Sequence, residues 1–188
     1  MVIEYIKSDL YRYYGNTHMG TFLSAFFRNK TFRFLCIIRM CRSGGVLNLL
    51  GLFLYKINRN HNIQISYKTK IGYGLYIGHN GPVVVNPTAV IGDNCNLSQF
   101  VTIGSNEGKA ATIGDNVYIG PNTCIVEDVC IGDNVTIGAG SVVTKSIPDN
   151  ATAVGNYAKV INYNNPGRYI QNQWIKSKQE RNKDEHFF

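Results

Sequence analysis

The stretch that decides the fold is Ile113-Gly-Asp-Asn-Val-Tyr-Ile119-Gly-Pro-Asn-Thr-Cys-Ile125-Val-Glu-Asp-Val-Cys-Ile131-Gly-Asp-Asn-Val-Thr-Ile137-Gly-Ala-Gly-Ser-Val-Val143. An aliphatic residue returns every six positions, and a small or branched residue follows each one four places later. The same period extends upstream to Ile65. The aliphatic series is Ile65, Ile71, Ile77, Val83, Ile91, Leu97, Ile103, Ile113, Ile119, Ile125, Ile131, Ile137 and Val143.

A period of six is neither helical nor typical of a hairpin. A short strand followed by a turn through about a third of a circle places every sixth side chain inside, so three hexapeptides close one coil. Successive coils then stack as parallel strands about 4.8 Å apart. The spacing predicts a mainly β fold, a left-handed parallel β-helix of about five coils over residues 63–160. Residues 1–62 are expected to form an N-terminal α-helical subdomain and residues 161–188 a C-terminal extension.

The period breaks at two places. Between Val83 and Ile91 the register moves by two residues, and Ile103 is followed by Ile113 after ten residues. The second break requires residues 104–111 to leave the coil as a loop. Insertions in repeat proteins tend to map to the functional face.

Apolar residues recur at three and four positions in 21–27 and 32–40, and a further helix is expected from Val46 to about Asn58. Basic residues alternate with these apolar positions: Arg28, Lys30, Arg33, Arg39, Arg42, Lys56 and Arg59. One interpretation is a packed helical subdomain with a solvated basic rim. The other is a surface for peripheral contact with an anionic membrane or a lipid-linked substrate.

The 188 residues carry a net charge of +7, which invites a nucleic-acid interpretation. Residues 1–63 hold nine basic and two acidic residues, or +7, whereas residues 64–160 hold five and seven, or −2. The repeat region is therefore mildly acidic. Without a helix–turn–helix, zinc-finger or RNA-binding motif, the sequence does not favour nucleic acid as a partner.

Five cysteines form an odd set without a CxxC pair, and the first residues lack the features of a signal peptide. The longest apolar run, Val46 to Tyr55, is shorter than the roughly 20 residues of a membrane span. We expect a cytoplasmic protein with free thiols, at most peripheral to the inner face of the membrane.

Three stretches carry a resemblance to a known family: Lys70-Ile-Gly-Tyr-Gly-Leu-Tyr-Ile-Gly-His79-Asn-Gly-Pro-Val-Val-Val85, Leu97-Ser-Gln99-Phe-Val-Thr-Ile-Gly104 and Ile137-Gly-Ala-Gly-Ser-Val-Val-Thr-Lys145-Ser-Ile-Pro-Asp-Asn150. The chain resembles the hexapeptide-repeat acyltransferases over about residues 1–165. Within them it resembles the serine acetyltransferase-like O-acetyltransferases, many of which act in capsule and surface-polysaccharide pathways. The ending Val154-Gly-Asn-Tyr-Ala-Lys159-Val160 resembles the family's terminal motif, with Tyr157 where proline is usual.

The resemblance implies a homotrimer, or a dimer of trimers, that binds acetyl-CoA between neighbouring β-helices. It places the catalytic histidine at His79. The chemistry agrees, because an imidazole can remove the proton of an alcohol as it attacks a thioester. The resemblance further implies that Ala139, Thr144, Lys145 and Lys159 contact coenzyme A. Pro121, one coil before Ala139, is expected to line the same groove.

At several positions this sequence differs from the serine acetyltransferases that it resembles. Gln64 and Ser66 stand where those enzymes have Asp and His, Gly78 replaces an acidic residue, and Lys109-Ala110 replaces an Arg-His pair. The sequence thus favours an O-acetyltransferase whose acceptor is a saccharide, either a small molecule or lipid-linked. Serine O-acetylation and a non-catalytic trimeric scaffold stay as alternatives. No metal is expected, because a metal hydratase needs three histidine ligands and only His79 lies in the repeat.

Overall fold

A computed structural model describes residues 2–57 and 62–175. Four helices come first: α1 Val2–Tyr14, α2 Met19–Arg28, α3 Lys30–Cys41 and α4 Gly45–Ile57. Short strands follow: β1 Ile63–Ile65, β2 Lys70–Ile71, β3 Tyr76–Ile77, β4 Val83–Val85, β5 Val90–Ile91, β6 Asn96–Leu97, β7 Val101–Gly104, β8 Thr112–Ile113, β9 Tyr118–Ile119, β10 Cys124–Val126, β11 Cys130–Ile131, β12 Thr136–Ile137, β13 Val142–Val143, β14 Thr152–Val154 and β15 Lys159–Asn162. The predicted helix end at Asn58, the rim residue Arg59 and the end of the extension, 176–188, lie outside the described residues.

The strands form three parallel faces. Face 1 holds β1, β4, β7, β10 and β13, face 2 holds β2, β5, β8 and β11, and face 3 holds β3, β6, β9, β12 and β14. Because consecutive strands from β1 to β13 belong to consecutive faces, the chain winds as a parallel β-helix of about five coils. The predicted β-helix with its helical N-terminal region is confirmed.

The predicted aliphatic series fills the interior of the β-helix. Each of its members is at most 6% exposed, and most are fully buried. The branched or small residues four places later are buried as well, Val117, Thr123, Val135 and Ser141 completely. The hexapeptide period therefore corresponds to one continuous core inside the prism.

The position expected for the first break in register is wrong. The step from Ile65 to its partner Val85 is two positions longer than the regular step from Val85 to its partner Ile103. The extra positions lie between Ile77 and Val83, in the turn that carries His79. Val83 and Val85 both point inward on β4. In the sequence, Val83 is six positions after Ile77 and therefore looks like the residue that continues the series, although Val85 is the one that does.

The second break is confirmed. The step from Ile103 to its partner Ile125 is again longer than a regular coil, and residues 105–111 form a loop between β7 and β8.

The helices are attached to the first coil through a buried ion pair. Arg39 donates from Nε to Asp9 Oδ2 at 2.9 Å and from Nη2 to Asp9 Oδ1 at 3.0 Å. Arg39 also donates to the carbonyl oxygens of Ile71 and Gly72, and Asp9 accepts from the Leu75 N–H. The expectation that Arg39 lies in a solvated rim is therefore wrong. Burial raises the pKa of the Asp9 carboxyl, and the Arg39 guanidinium opposes that shift.

Arg12 makes a second attachment between α1 and the β-helix. Its side chain is buried and donates to the carbonyl oxygens of Gly74 and Asn94 and to the side-chain oxygen of Asn96. Burial lowers the pKa of the Arg12 guanidinium to about 10. Both buried arginines thus satisfy backbone carbonyls of the first coils, which the helical region covers.

The described part of the C-terminal extension packs back onto the β-helix. Strand β15 runs antiparallel to β14 and extends face 3. The Tyr169 ring lies 4.9 Å from that of Tyr118, and the Trp174 backbone N–H donates to Asn94 Oδ1 at 2.7 Å. The Trp174 ring also meets that of Tyr11 on α1 at 5.9 Å. The extension therefore covers face 3 and reaches the helical region.

Candidate functional site

The turns from face 3 to face 1 form one edge of the prism, which we call the histidine corner. It contains, coil by coil, His79, Gln99, Pro121 and Ala139. Backbone bonds connect successive turns: the Asn122 N–H donates to Gln99 O at 3.0 Å, and the Gly140 N–H donates to Pro121 O at 2.9 Å. The structure therefore brings three of the predicted site residues, His79, Pro121 and Ala139, onto the same edge. His79 and Ala139 are three coils apart, or about 14 Å at ~4.8 Å per coil.

The turn that carries His79 differs from the other turns of this corner. Phe100, Asn122 and Gly140 each provide a single residue with positive φ, whereas the inserted turn has two in succession, His79 at 64° and Asn80 at 45°. A histidine in the left-handed region is uncommon, and such conformations cluster at functional sites. The insertion makes the turn longer than its neighbours and leaves both side chains exposed.

Neighbouring elements hold this turn on both sides. The Tyr13 hydroxyl of α1 donates to Ile77 O at 2.8 Å and accepts from the Ile77 N–H at 3.0 Å, immediately before the turn. The Thr31 hydroxyl, in the first turn of α3, donates to the side-chain oxygen of Asn80. The turn is therefore built from the β-helix but fixed by the helical region.

The return leg of the turn lies directly against the next coil. A Cβ placed on Gly81 would lie far inside van der Waals contact with the Gln99 Cβ, so a larger residue would push the two coils apart. Glycine at 81 thus allows the chain to close onto Gln99, and Pro82 O then accepts from the Phe100 N–H at 2.6 Å.

The other predicted cofactor residues lie elsewhere on the prism. Thr144 and Lys145 follow β13 at the edge between face 1 and face 2, which we call the loop corner because it also carries loop 105–111. Lys159 begins β15, antiparallel to β14 at the last coil. Lys145 and Lys159 are exposed, and within residues 2–57 and 62–175 neither has an ion-pair partner within 4.0 Å. Face 1 therefore separates Thr144 and Lys145 from the histidine corner, whereas Lys159 lies opposite Val154 at the end of β14 on face 3.

The residues on these two edges fit coenzyme A. Ala139 and Gly140 are small and exposed, and a Cβ built on Gly140 finds no atom within 4 Å, so the corner offers open space for a pantetheine arm. The ammonium groups of Lys145 and Lys159 are available for phosphates. These residues would hold the cofactor along the edges of the prism.

Glu127 holds the loop at the loop corner. Its carboxylate accepts from the Ser105 hydroxyl at 2.7 Å and from the backbone N–H groups of Asn106 and Glu107 at 3.2 and 3.3 Å. The hydrogen bond from the Ser105 hydroxyl makes the largest contribution to lowering the pKa of the Glu127 carboxyl. The two backbone N–H groups lower it as well. A carboxylate one coil away thus orders the inserted loop.

Sequence reasoning missed Tyr13, Thr31, Asn80 and Glu127. The first two lie in helices far upstream of their partners in the chain, and no periodic pattern indicates such contacts. Asn80 had a signal, because a His-Asn-Gly-Pro turn next to a break in period is a natural place for an insertion. Glu127 lies in the turn one coil beyond loop 105–111, which was the available signal for its role.

A β-helix of hexapeptide coils with a histidine on an inserted corner turn defines a class of transferase folds. In agreement, residues 110–145 match the family model "Bacterial transferase hexapeptide (six repeats)". The chain is 40% identical over 128 residues to the putative colanic acid biosynthesis acetyltransferase WcaB of Escherichia coli K12, covering 63% of this chain and 79% of that protein. The chain belongs to the hexapeptide-repeat transferase family.

Other similar proteins are serine acetyltransferases. Serine acetyltransferase 3, mitochondrial, of Arabidopsis thaliana is 43% identical over 96 residues, 49% of this chain, and the chain spans only 25% of that protein. The structure of Neisseria gonorrhoeae serine acetyltransferase in complex with serine superposes with a TM-score of 0.69 and 30% identity, covering 84% of this chain and 68% of the other. These comparisons include relatives named for serine acetylation and one named for colanic acid biosynthesis.

Proposed function

We propose that the protein is an acetyl-CoA-dependent O-acetyltransferase that acts on a saccharide hydroxyl, with His79 as the general base. The observation that carries this proposal is the position of His79. It is exposed on a two-residue insertion, fixed from α1 and α3, at the same corner as Pro121 and Ala139. An exposed imidazole on a fixed turn is accessible to a bulky acceptor and has a defined direction of approach.

The chemistry follows from this placement. Acetyl-CoA supplies an activated acetyl thioester. His79 accepts the acceptor's proton on one imidazole nitrogen as the hydroxyl oxygen bonds to the acetyl carbon. As the carbon–sulfur bond breaks, His79 returns that proton to the departing sulfur. No covalent enzyme intermediate is needed, so the cysteines take no part.

Charge supports a saccharide as acceptor over free serine. Serine carries an ammonium group, whose recognition in a site calls for a carboxylate. The sequence has no Asp or Glu between Asp9 and Asp93, and the side chains at the histidine corner, from Gln99 to Asn122 and Ala139, are uncharged. Amide and hydroxyl groups of this kind suit the hydroxyls of a sugar. The similarity to WcaB, of which the chain covers 79%, points the same way.

Serine O-acetylation is the second candidate. It is favoured by the 0.69 TM-score to a serine acetyltransferase solved with serine. Glu107, Glu127 and Asp128 line one depression at the loop corner, and they could meet an ammonium group if a neighbouring subunit presents them.

We also propose a cytoplasmic homotrimer. Within one chain Pro121 and Ala139 lie at the histidine corner, whereas Thr144 and Lys145 lie at the loop corner, on the other side of face 1. If two copies are placed side by side, one copy's histidine corner can face the other's loop corner, so that the two groups form a single cleft. In a non-catalytic trimeric scaffold, the exposed and fixed His79 would have no function.

The test is release of free thiol from acetyl-CoA in the presence of single acceptors. The wild-type protein and the His79→Asn variant are assayed with hexoses, hexosamines, an oligosaccharide mixture and L-serine. The products are identified by mass spectrometry. We expect acetylation of a sugar, and a loss of about 10²- to 10⁴-fold in kcat in the variant. Binding of acetyl-CoA, measured by calorimetry, should be retained by the variant.

Different results would overturn different parts of the proposal. Serine turnover exceeding sugar turnover would replace the acceptor but keep the chemistry. A fully active His79→Asn protein would remove the general base. If acetyl-CoA neither binds to the protein nor raises its melting temperature, the non-catalytic scaffold is favoured.

A further inference from the structure

Helix α4 exposes an apolar stripe that is large for so short a helix. Its exposed apolar residues recur at three- and four-residue intervals, so they line one side: Val46, Leu49, Leu50, Phe53 and Ile57, which are between 46% and 82% exposed. Monomeric soluble proteins rarely leave such contiguous apolar surface uncovered. The stripe therefore marks an interaction surface.

The opposite side of α4 is fixed to the molecule. Gly51 is buried and its Cα lies against the backbone of Met40 and Cys41 on α3. The Tyr55 hydroxyl donates to Ile65 O at 3.2 Å in the first coil, and its ring meets Tyr67 at 5.3 Å. Since α4 is held by its inner side, the stripe is presented outward on a rigid support.

The charge around α4 is of one sign. Lys56 lies in the last turn of the helix and is exposed, and Arg42 lies just before the helix, where its guanidinium donates to Thr69 O at 3.0 Å. The sequence contains no acidic residue between Asp9 and Asp93. Of the two acids before that run, Asp9 is bound by Arg39 and Glu4 lies 2.8 Å from Lys7. The exposed surface of the helical region thus has an excess of positive charge.

We propose that α4, with Arg42 and Lys56 at its two ends, binds the surface of an anionic lipid bilayer. An apolar stripe between cations is the arrangement by which a short helix lies in the headgroup region, with its apolar side chains towards the acyl chains. A second copy of the same surface would bring two positively charged regions together, whereas anionic headgroups supply the opposite charge. No helix of residues 2–57 and 62–175 has the length and hydropathy needed to cross a bilayer.

The experiment is co-sedimentation of the full chain with vesicles of phosphatidylcholine, with and without phosphatidylglycerol as about a third of the lipid, at low and at high salt. We expect the pelleted fraction to be at least fivefold higher on the anionic vesicles at low salt. The double variant Leu49→Gln/Phe53→Gln should reduce that pelleted fraction at least fivefold. The single variant Lys56→Glu should reduce the pelleted fraction more at low salt than at high salt.

The matched control is Ile161→Gln/Tyr163→Gln. It replaces two apolar residues of similar exposure, 57% and 55%, at the last coil, whereas α4 contacts the first. Its binding should equal that of the wild type. Circular dichroism and the melting temperature verify that each variant is folded.

Equal pelleting with neutral and anionic vesicles would overturn the proposal, as would equal binding by the α4 variant and the control. If the wild type does not bind vesicles and the α4 variant halves the molar mass in sedimentation velocity, the stripe is a contact between copies. Because none of these readouts uses the acceptor, failure here leaves the proposed acetyl transfer untouched, and failure of that reaction leaves this test intact.

Discussion

The Thr31 hydroxyl of α3 donates a hydrogen bond to the side-chain oxygen of Asn80, the residue that follows His79. Thr31 is 1% exposed, and Asn29 caps α3 by accepting from the Thr31 N–H at 3.1 Å. The position of Thr31 is therefore fixed by the helix end. Through Asn80 it fixes the inserted turn, so a helix far upstream in the chain determines where the imidazole lies.

Replacing Thr31 with valine should lower kcat. Valine has nearly the same shape but cannot donate, so one hydrogen bond, worth about 0.5–1.5 kcal/mol, is lost while packing is kept. If that free energy is used to hold the turn, kcat for acetyl transfer should fall roughly 3- to 10-fold. Steady-state kinetics with the best acceptor measure the effect, and the KM for acetyl-CoA should change less than twofold.

The conservative variant Thr31→Ser is the control. It keeps the hydroxyl and should retain most of the wild-type kcat, even if it lowers the melting temperature by loss of a methyl group. A loss of activity that follows the melting temperature in both variants, rather than the hydroxyl, would show that Thr31 acts only through stability.

The buried pair Asp9–Arg39 should contribute far more to stability than the exposed pair Glu4–Lys7. Asp9→Ala leaves the Arg39 guanidinium, 4% exposed, with no counter-charge, which costs about 3–5 kcal/mol. Glu4→Ala breaks an exposed ion pair of 2.8 Å and should cost at most about 1 kcal/mol. Urea unfolding at one fixed protein concentration measures both free energies of unfolding. Equal losses in the two variants would mean that the helical region does not depend on this attachment.

Much of the fold could be predicted from sequence because the hexapeptide period is local and repeated. Ile119 and Ile137 occupy equivalent environments one coil apart, so each repeat supports the assignment of the next. Helices α2, α3 and α4 were predictable from apolar spacing in the same way. By contrast, the environment of Arg39 was not, because the burial of a charged side chain depends on a partner, Asp9, that lies in another helix.

The candidate site was predictable only where it follows the coil. Pro121 and Ala139 share a corner because their separation in the sequence equals one regular coil. The sequence pattern places the inserted turn after Val83 rather than before it, because Val83 and Val85 both face inward. Spacing along the sequence does not distinguish which of the two continues the register. The contacts that fix His79 come from Tyr13 and Thr31, whose positions depend on how the helices dock.

The order of loop 105–111 should depend on pH through Glu127. Its contacts hold the pKa of the Glu127 carboxyl below the usual 4.5. For a carboxyl with a lowered pKa in the folded state, the stabilising contribution is fully present above the unfolded value and is lost as the pH falls through the folded value. We expect the loop to stay ordered at pH 5 and to loosen as the pH falls below 4.5. The amide NMR signals of Asn106 and Glu107 should report this transition with a midpoint below 4.5.

Glu127→Gln provides the comparison for that titration. Its carboxamide accepts hydrogen bonds but does not titrate, so the Asn106 amide signal should lose the transition that the wild type shows between pH 5 and 3.5. If the same transition is present in the variant, or if the wild-type midpoint lies above 4.5, another group controls the loop.

Lys145 and Lys159 should contribute to binding acetyl-CoA through its phosphates. Both ammonium groups are exposed and lack an ion-pair partner within the described part of the chain, so they are free to meet an anion. A charge-assisted contact at an exposed site is worth about 1 kcal/mol, so Lys145→Ala and Lys159→Ala should each raise the KM for acetyl-CoA about 3- to 10-fold, with kcat nearly unchanged. The effect should shrink at high salt.

Lys109→Ala is the matched control for these two lysines, because that ammonium is also exposed but lies 4.0 Å from Asp128 on the loop corner. Acetyl-pantetheine, which has no phosphates, should be used equally well by the wild type and all three variants. A lysine variant that also loses acetyl-pantetheine activity would be damaged in its structure rather than in phosphate recognition. Unchanged KM values in both Lys145→Ala and Lys159→Ala would place the coenzyme elsewhere on the prism.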